Sequence, residues 1–321
     1  MAHELEFVDG KAQMAYAGEV PWHGHGTPVD DDLTPEEMMK AAGLDWDVKK
    51  YSMFTEVKGK RVKADVKALV RSSDSKILTQ VGPDWNPVQN SEAFEFFNDF
   101  VKAGDMSMHT AGSLKGGRHV WAIARVNQSF ELFGGDRVDS FMLFSNPHQY
   151  GKSLDVRFTP IRVVCNNTLT LSLGKHASLS YSAGHASPFN TTKALETLGV
   201  ASEKFSKYRE MAEFLGSRKY NPSTLVEYYS QVFPRTSGSK SIETYDDMSR
   251  NAKIAHDMLE TQPGAEFASG TWWQAFNSVT FVTDHVQGRN AENRLYSNWF
   301  GSNQARKVNA ANLAVKMAEN A

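Results

Sequence analysis

Residues 62–71 alternate without interruption, with Val62, Ala64, Val66, Ala68 and Val70 on one parity and Lys63, Asp65, Lys67, Leu69 and Arg71 on the other. A period of two sustained this long does not suit a helix. It predicts a half-buried strand whose solvent face is largely basic. Ile77–Val81 is the expected partner, ended by Gly82-Pro83-Asp84. Residues 106–114, 118–126, 138–144 and 153–164 continue the β texture, separated by Gly116-Gly117, Phe133-Gly134-Gly135-Asp136 and Asn146-Pro147. Short strands joined by glycine-rich turns predict hairpins and an antiparallel sheet. Phe141-Met142-Leu143-Phe144 is apolar throughout and is expected at the centre of that sheet. Pro160 argues for an edge, a bulge or a break in the last strand.

Helices punctuate and then replace this pattern. Thr34-Pro35-Glu36-Glu37 is a capping box with proline in the first turn, and Gly43 is placed to stop the helix it opens. A helix is predicted over 91–102, followed by Gly104. Beyond about residue 190, apolar spacing near 3.6 predicts helices over 192–198, 202–215, 222–233, 245–261, 271–287 and 304–319. Gly216 reads as a helix stop and Asn221-Pro222 as a helix start. Trp272-Trp273 falls in a strongly apolar helix and reads as core. The run 234–240 reads as a mobile loop. The expected fold is therefore α+β: a β-rich core over 1–189 with a few helices, followed by a mostly helical region over 190–321.

Charge is where the sequence becomes informative about partners. The formal net charge is −2, so any affinity for nucleic acid must come from local patches. Residues 1–47 carry eleven acidic and two basic side chains, whereas residues 49–76 carry nine basic and three acidic, and residues 102–176 nine basic and five acidic. Lys63 and Lys67 share a strand face with Arg71. Lys115 and Arg118 flank Gly116-Gly117, Lys152 sits in a turn beside Tyr150, and Arg157 and Arg162 lie along the next strand. Cations of this kind follow phosphates, and exposed aromatics such as Tyr150 or Trp121 would stack on bases.

Chemistry is poorly marked. Gly151-Lys152-Ser153 resembles the end of a phosphate loop, but Asn146 stands where the loop needs glycine, and a strand follows where it needs a helix. His23 and His25 are spaced like metal ligands, yet neither a cysteine pair nor an obvious acidic partner is nearby. Cys165 with His148, His176 or His185 would make a thiol and base, but a lone cysteine closing an apolar strand reads as inert core. No catalytic residue, metal or cofactor is expected. A single cysteine, the lack of a signal-peptide pattern and the lack of a long apolar stretch predict a cytoplasmic protein with no membrane partner.

Several segments together carry a family resemblance: Pro21-Trp22-His23-Gly24 with Gly26, Val81-Gly82 followed by 85–90, Ala111-Gly112-Ser113-Leu114 with Gly116-Gly117, the run 159–169, and the run 270–280. With these the chain resembles the phage- and plasmid-borne family known as domain of unknown function 932, which implies a bacterial host cytoplasm. The family usually has an apolar residue where this chain has His25. The aspartate common in the turn before the arginine strand is missing from 148–153. In outline the hairpin-rich basic region also resembles the Rad52-like single-strand annealing proteins of phages, which form rings and hold DNA by its backbone. The expected function is nucleic-acid binding, with single-stranded nucleic acid as partner and Lys63, Lys67, Lys115, Arg118, Lys152, Arg157 and Arg162 as contacts. It would serve as a strand-annealing accessory of recombination or replication, acting as a homo-oligomer. The alternative is a non-catalytic factor that binds a host protein through the acidic N-terminal segment. An enzyme using His23, Asn166 or Asn167 is the third reading.

Overall fold

The computed structural model describes residues 5–18, 20–21, 24–162, 167–168, 180–183, 205–235, 243–287 and 294–320. The fold is α+β, with sheets dominating the first half of the chain and helices the second. Two compact units divide it: Met1–Asn127, Phe141–Phe158 and Leu179–Leu198 form one, and Gln128–Ser140, Thr159–Ser178 and Gly199–Ala321 the other. This division is less simple than a single boundary near residue 189. Strands β9 (His119–Leu132) and β10 (Asp136–Pro147) begin or end in the first unit, but their tips at 128–140 belong to the second.

A short hairpin pairs β1 (Phe7–Val8) with β2 (Lys11–Ala12). The larger sheet runs β12-β11-β10-β9-β8-β3-β4, where β3 is Met14–Ala17, β4 Thr27–Val29, β8 Met106–Leu114, β11 Leu154–Arg162 and β12 Asn167–Thr168, with β13 (Ser180–Ala183) also on β11. β8 and β9 pair as an antiparallel hairpin from Met106↔Val126 to Leu114↔His119, and β3 lies antiparallel on the other side of β8. Phe141–Phe144 lies on β10, an interior strand between β9 and β11, and is buried throughout, as its unbroken apolar run predicts. Pro160 neither ends nor breaks β11, which continues through it to Arg162. Gly112 lies directly across from Trp121, and a Cβ there would come within 3.0 Å of the indole and 3.1 Å of the Gln13 carbonyl. The missing side chain makes room for the ring, so Trp121 is buried and not the exposed stacking surface the sequence suggested.

Helix α1 (Pro35–Ala41) forms as its capping box dictates. Thr34 Oγ1 accepts from the Glu37 amide at 3.3 Å, and Glu37 Oε2 accepts from the Thr34 amide at 2.9 Å. Gly43, with φ +69, turns the chain out of it. The single helix predicted over 91–102 is two: α2 (Asn90–Glu95) and α3 (Asn98–Ala103), parted at Phe96 and Phe97. On a continuous helix, adjacent side chains diverge by about 100°. The break lets both rings stay buried, with centroids 5.6 and 6.0 Å from Phe144. Met38, Leu44, Trp46, Phe94, Met108 and Val120 complete this core.

In the second unit, α4 (205–217), α5 (Pro222–Val232), α6 (Arg250–Asp257), α7 (Trp272–Phe281), α8 (Arg294–Phe300) and α9 (Ser302–Glu319) carry the helical content. Trp272 and Trp273 are core, at 0% and 1% exposure. The Trp273 Nε1 donates to buried Asp136 Oδ2 at 3.0 Å. Gly216 is not a helix stop of the left-handed kind. A Cβ there would fall 1.9 Å from the Phe133 ring, so close approach is what the position requires. The predicted helix over 245–261 is a short 3-10 turn at Tyr245–Asp247 and then α6. The segments predicted at 192–198 and 236–240 lie outside the described residues.

Candidate nucleic-acid interface

The basic alternation of 62–71 belongs to β6 (Lys60–Arg71), the middle strand of a three-stranded sheet with β5 (Val48–Val57) and β7 (Ile77–Val81). β7 pairs only with Lys67–Val70, whereas β5 follows β6 to its far end at Val57↔Lys60. Beyond Lys67 the hairpin is therefore a two-stranded ribbon. The connecting residues Lys58 and Gly59 both have positive φ, 51° and 75°, the turn that matches the natural twist of paired strands. From Phe54 to Lys63 every residue is exposed.

Residues directly opposite in an antiparallel pair share a face. One face of the ribbon thus carries Phe54 with Lys63 and Glu56 with Arg61; the other carries Thr55 with Val62 and Val57 with Lys60. The Arg61 guanidinium lies 3.9 Å from the centre of the Phe54 ring, which is itself 46% exposed. Tyr51 is 54% exposed nearer the root. Lys67 Nζ donates to Ser52 Oγ at 3.1 Å across the same pair of strands. From Lys60 to Arg71 the strand spans roughly 35 Å, about ten base steps of duplex.

At the root the alternation stops predicting exposure. Arg71, expected on the solvent face, is buried with Glu6: Nη1 donates to Glu6 Oε1 at 2.7 Å and Nη2 to Asp74 Oδ2 at 2.6 Å. Ser113 Oγ donates to Glu6 Oε2 at 2.9 Å. Burial alone would push the Arg71 guanidinium down, but its bonds to Asp74 and Glu6 outweigh that and raise its pKa. The same bond to Arg71 holds the Asp74 carboxyl down at about 2. Gly117, at φ +88, closes over this cluster, since a Cβ there would come 2.6 Å from Arg71 Nη1.

That contact brings the β8–β9 turn, with Lys115 and Arg118, against the ribbon's root. Arg118 Nε donates to the Lys115 carbonyl at 3.0 Å, and the Arg118 carbonyl accepts from the His148 amide at 2.9 Å. The neighbouring β10–β11 turn carries Tyr150, 65% exposed, and exposed Lys152. His119, buried beneath these turns with Nε2 2.9 Å from Ser145 Oγ, has its pKa pushed down to about 3. Burial is the main cause, followed by the positive charge of Lys115, then His148, Lys152 and Arg157. The structure thus gathers Lys115, Arg118, Lys152 and Arg157 around one end of the sheet. Arg157 is only partly exposed, and its Nε donates to buried Asp155, so a carboxylate already balances it. Arg162 ends β11 opposite Asn167; its side chain, with Trp22, His23, Cys165 and Asn166, lies outside the described residues. Under the same turns His148 Nε2 meets Asn90 Oδ1 at 2.9 Å, and Asn90 donates to the Leu44 and Trp46 carbonyls. This buried network fixes the loops.

The family model described as domain of unknown function 932 matches residues 77–315. The chain belongs to that family. No curated protein and no solved structure matches it. Of the candidate cations, Lys115, Arg118, Lys152, Arg157 and Arg162 fall inside the span shared with the DUF932 family, while Lys63, Lys67 and the whole ribbon precede it. Sequence reasoning missed β5, and with it Tyr51 and Phe54, and began the basic strand at residue 62, past Arg61. The signal was present: Tyr51, Phe54, Thr55 and Val57 are strand formers leading into Lys58-Gly59, a turn pair with glycine where φ must be positive. Among the described residues no cluster of three metal-ligating side chains occurs, and no helix is long and apolar enough to cross a membrane.

Proposed function

We propose that this chain binds nucleic acid through the β5–β6 ribbon and the sheet end at its root, with single strands as the preferred form. The observation that carries the reading is a ribbon exposed on both faces that bears Lys58, Lys60, Arg61 and Lys63, with Arg61 and Lys63 on the same face as the exposed Phe54 ring. Lysine and arginine neutralise phosphates and release counterions, which needs no sequence-specific contact. Phe54 supplies what duplex DNA cannot use and an unpaired base can, a flat apolar surface for stacking. Lys67, Lys115, Arg118 and Lys152 would continue the phosphate path at the root. Backbone binding that leaves other bases free suits an accessory of strand annealing in phage recombination or replication, working as a homo-oligomer in the bacterial cytoplasm.

The test is fluorescence polarisation with labelled single-stranded DNA at about 50 and about 200 mM salt, a range over which several phosphate contacts weaken binding by orders of magnitude. Replacing Lys60, Arg61 and Lys63 together with alanine lowers the slope of log affinity against log salt by about 2, at roughly 0.7 per lost contact on a single strand. Absence of binding at the lower salt refutes the reading. An unchanged slope in the triple variant removes the ribbon from it.

A further inference from the structure

A second polar cluster lies wholly within the helical unit, where α7 gives way to one π-type turn, Val282–Val286. Widened turns of this kind recur at functional sites because they redirect a side chain from the regular helical path. Here Asp284, 4% exposed, accepts from Lys307 Nζ at 2.7 Å, and Lys307 is fully buried. Asn303 Nδ2 donates to the Thr283 carbonyl at 3.1 Å and to Asn298 Oδ1 at 2.9 Å, fixing α9 against this turn.

Two arginines converge on Gln287, the residue just after the turn. Arg294 Nε donates to the Gln287 carbonyl at 3.1 Å and Nη1 to the His285 carbonyl. Arg306 Nη1 donates to Gln287 Oε1 at 3.2 Å and to Asn303 Oδ1 at 3.3 Å, with its Cζ 5.4 Å from the centre of the Phe233 ring. Among the described residues no carboxylate pairs with Arg306, and its Nε and Nη2 donate to no acceptor. Burial pushes its pKa down, as it does for Arg294.

We propose that Arg306, with Arg294 beside it, binds an oxyanion of the phosphate class. The Nε–Nη2 edge is the one that grips two oxygens in parallel, and anchoring Nη1 to two amides presents that edge preformed. Arg294, held to the Gln287 and His285 carbonyls, adds a second positive charge at the same turn, offset in part by Asp284. Lys307 is not the ligand, because Asp284 already balances it. Its role is to lock the helix that carries Arg306. The site is independent of the ribbon.

Thermal unfolding of the full chain is followed against sodium phosphate and, at matched ionic strength, sodium chloride. The expected result is a saturable rise in midpoint with phosphate beyond that with chloride. Arg306→Gln weakens the phosphate affinity about tenfold or more, the loss expected for hydrogen bonds to a charged group. Arg306→Lys, which keeps the charge and can pack on Phe233, restores only part, for want of the fork. An equal response in wild type and Arg306→Gln, or no response beyond chloride, overturns the proposal. Should the glutamine variant fail to fold, a lysine variant as responsive as wild type overturns it. Oligonucleotides with a 5′-phosphate or a 5′-hydroxyl then separate the sources. Tighter, Arg306-dependent binding of the first assigns the group to a strand end; equal binding alongside an intact phosphate response assigns it to a free small anion.

Discussion

The two ends of the β5–β6 hairpin bear the same residue types and treat them in opposite ways. At the root, Arg71 is buried between Glu6 and Asp74 under the Gly117 turn. At the free end Lys60, Arg61 and Lys63 face water on a ribbon with no third strand beside it. Arg157, partly buried against Asp155 on β11, falls with the root. What separates the classes is the partner, not the alternation: a cation with a buried carboxylate opposite it holds the fold, and one without is available to a ligand.

Four substitutions test that division, beginning with the strongest effect. Arg71→Met removes the buried partner of Glu6 and leaves it only the half-exposed Lys76, 3.7 Å away, and the Ser113 hydroxyl, so it is expected to destabilise the protein by about 3 kcal/mol in chemical denaturation. Lys63→Ala at the free end should stay within about 0.5 kcal/mol of wild type. Equal losses would erase the distinction. Phe54→Ala is expected to weaken single-strand binding by about 1–3 kcal/mol while leaving stability within about 0.5 kcal/mol. A loss of stability without loss of affinity would make the ring a structural part of the ribbon.

The fourth concerns His119 beneath the root. Its folded pKa, about 3, lies below the ordinary value of about 6.5, so between these limits the unfolded chain binds the extra proton. Stability is therefore highest above the upper limit and falls with acidification through the window, by up to about 1.4 kcal/mol per pH unit. His119→Gln should flatten that dependence in urea denaturation followed across the window, and an undiminished slope would assign it to other groups.

Local signals were legible wherever a residue answers to near neighbours. The Thr34–Glu37 capping box, the left-handed Gly43 and Gly104, and the apolar centre of β10 all follow from a few adjacent positions. The burial of Trp272 and Trp273 was equally readable. Long-range partners were not. Glu6 lies 65 positions from Arg71, and nothing in the alternation of β6 announces it. Trp121 reads as a surface ring until Gly112 is found opposite. Of the candidate site, Lys63 and Lys67 were visible as a basic parity. The length over which the ribbon runs unsupported depends on where β7 stops, which periodicity does not encode.

The bond from Trp273 to Asp136 joins residues 137 positions apart, the first on α7 and the second at the tip of the β9–β10 hairpin. On a ribosome the hairpin emerges long before the helix that supplies its indole. Until α7 appears, Asp136, which has no exposure in the finished protein, lacks that indole donor. The tip is therefore a late-folding element, and a nascent chain halted before α7 presents it as a ready target for chaperones and proteases.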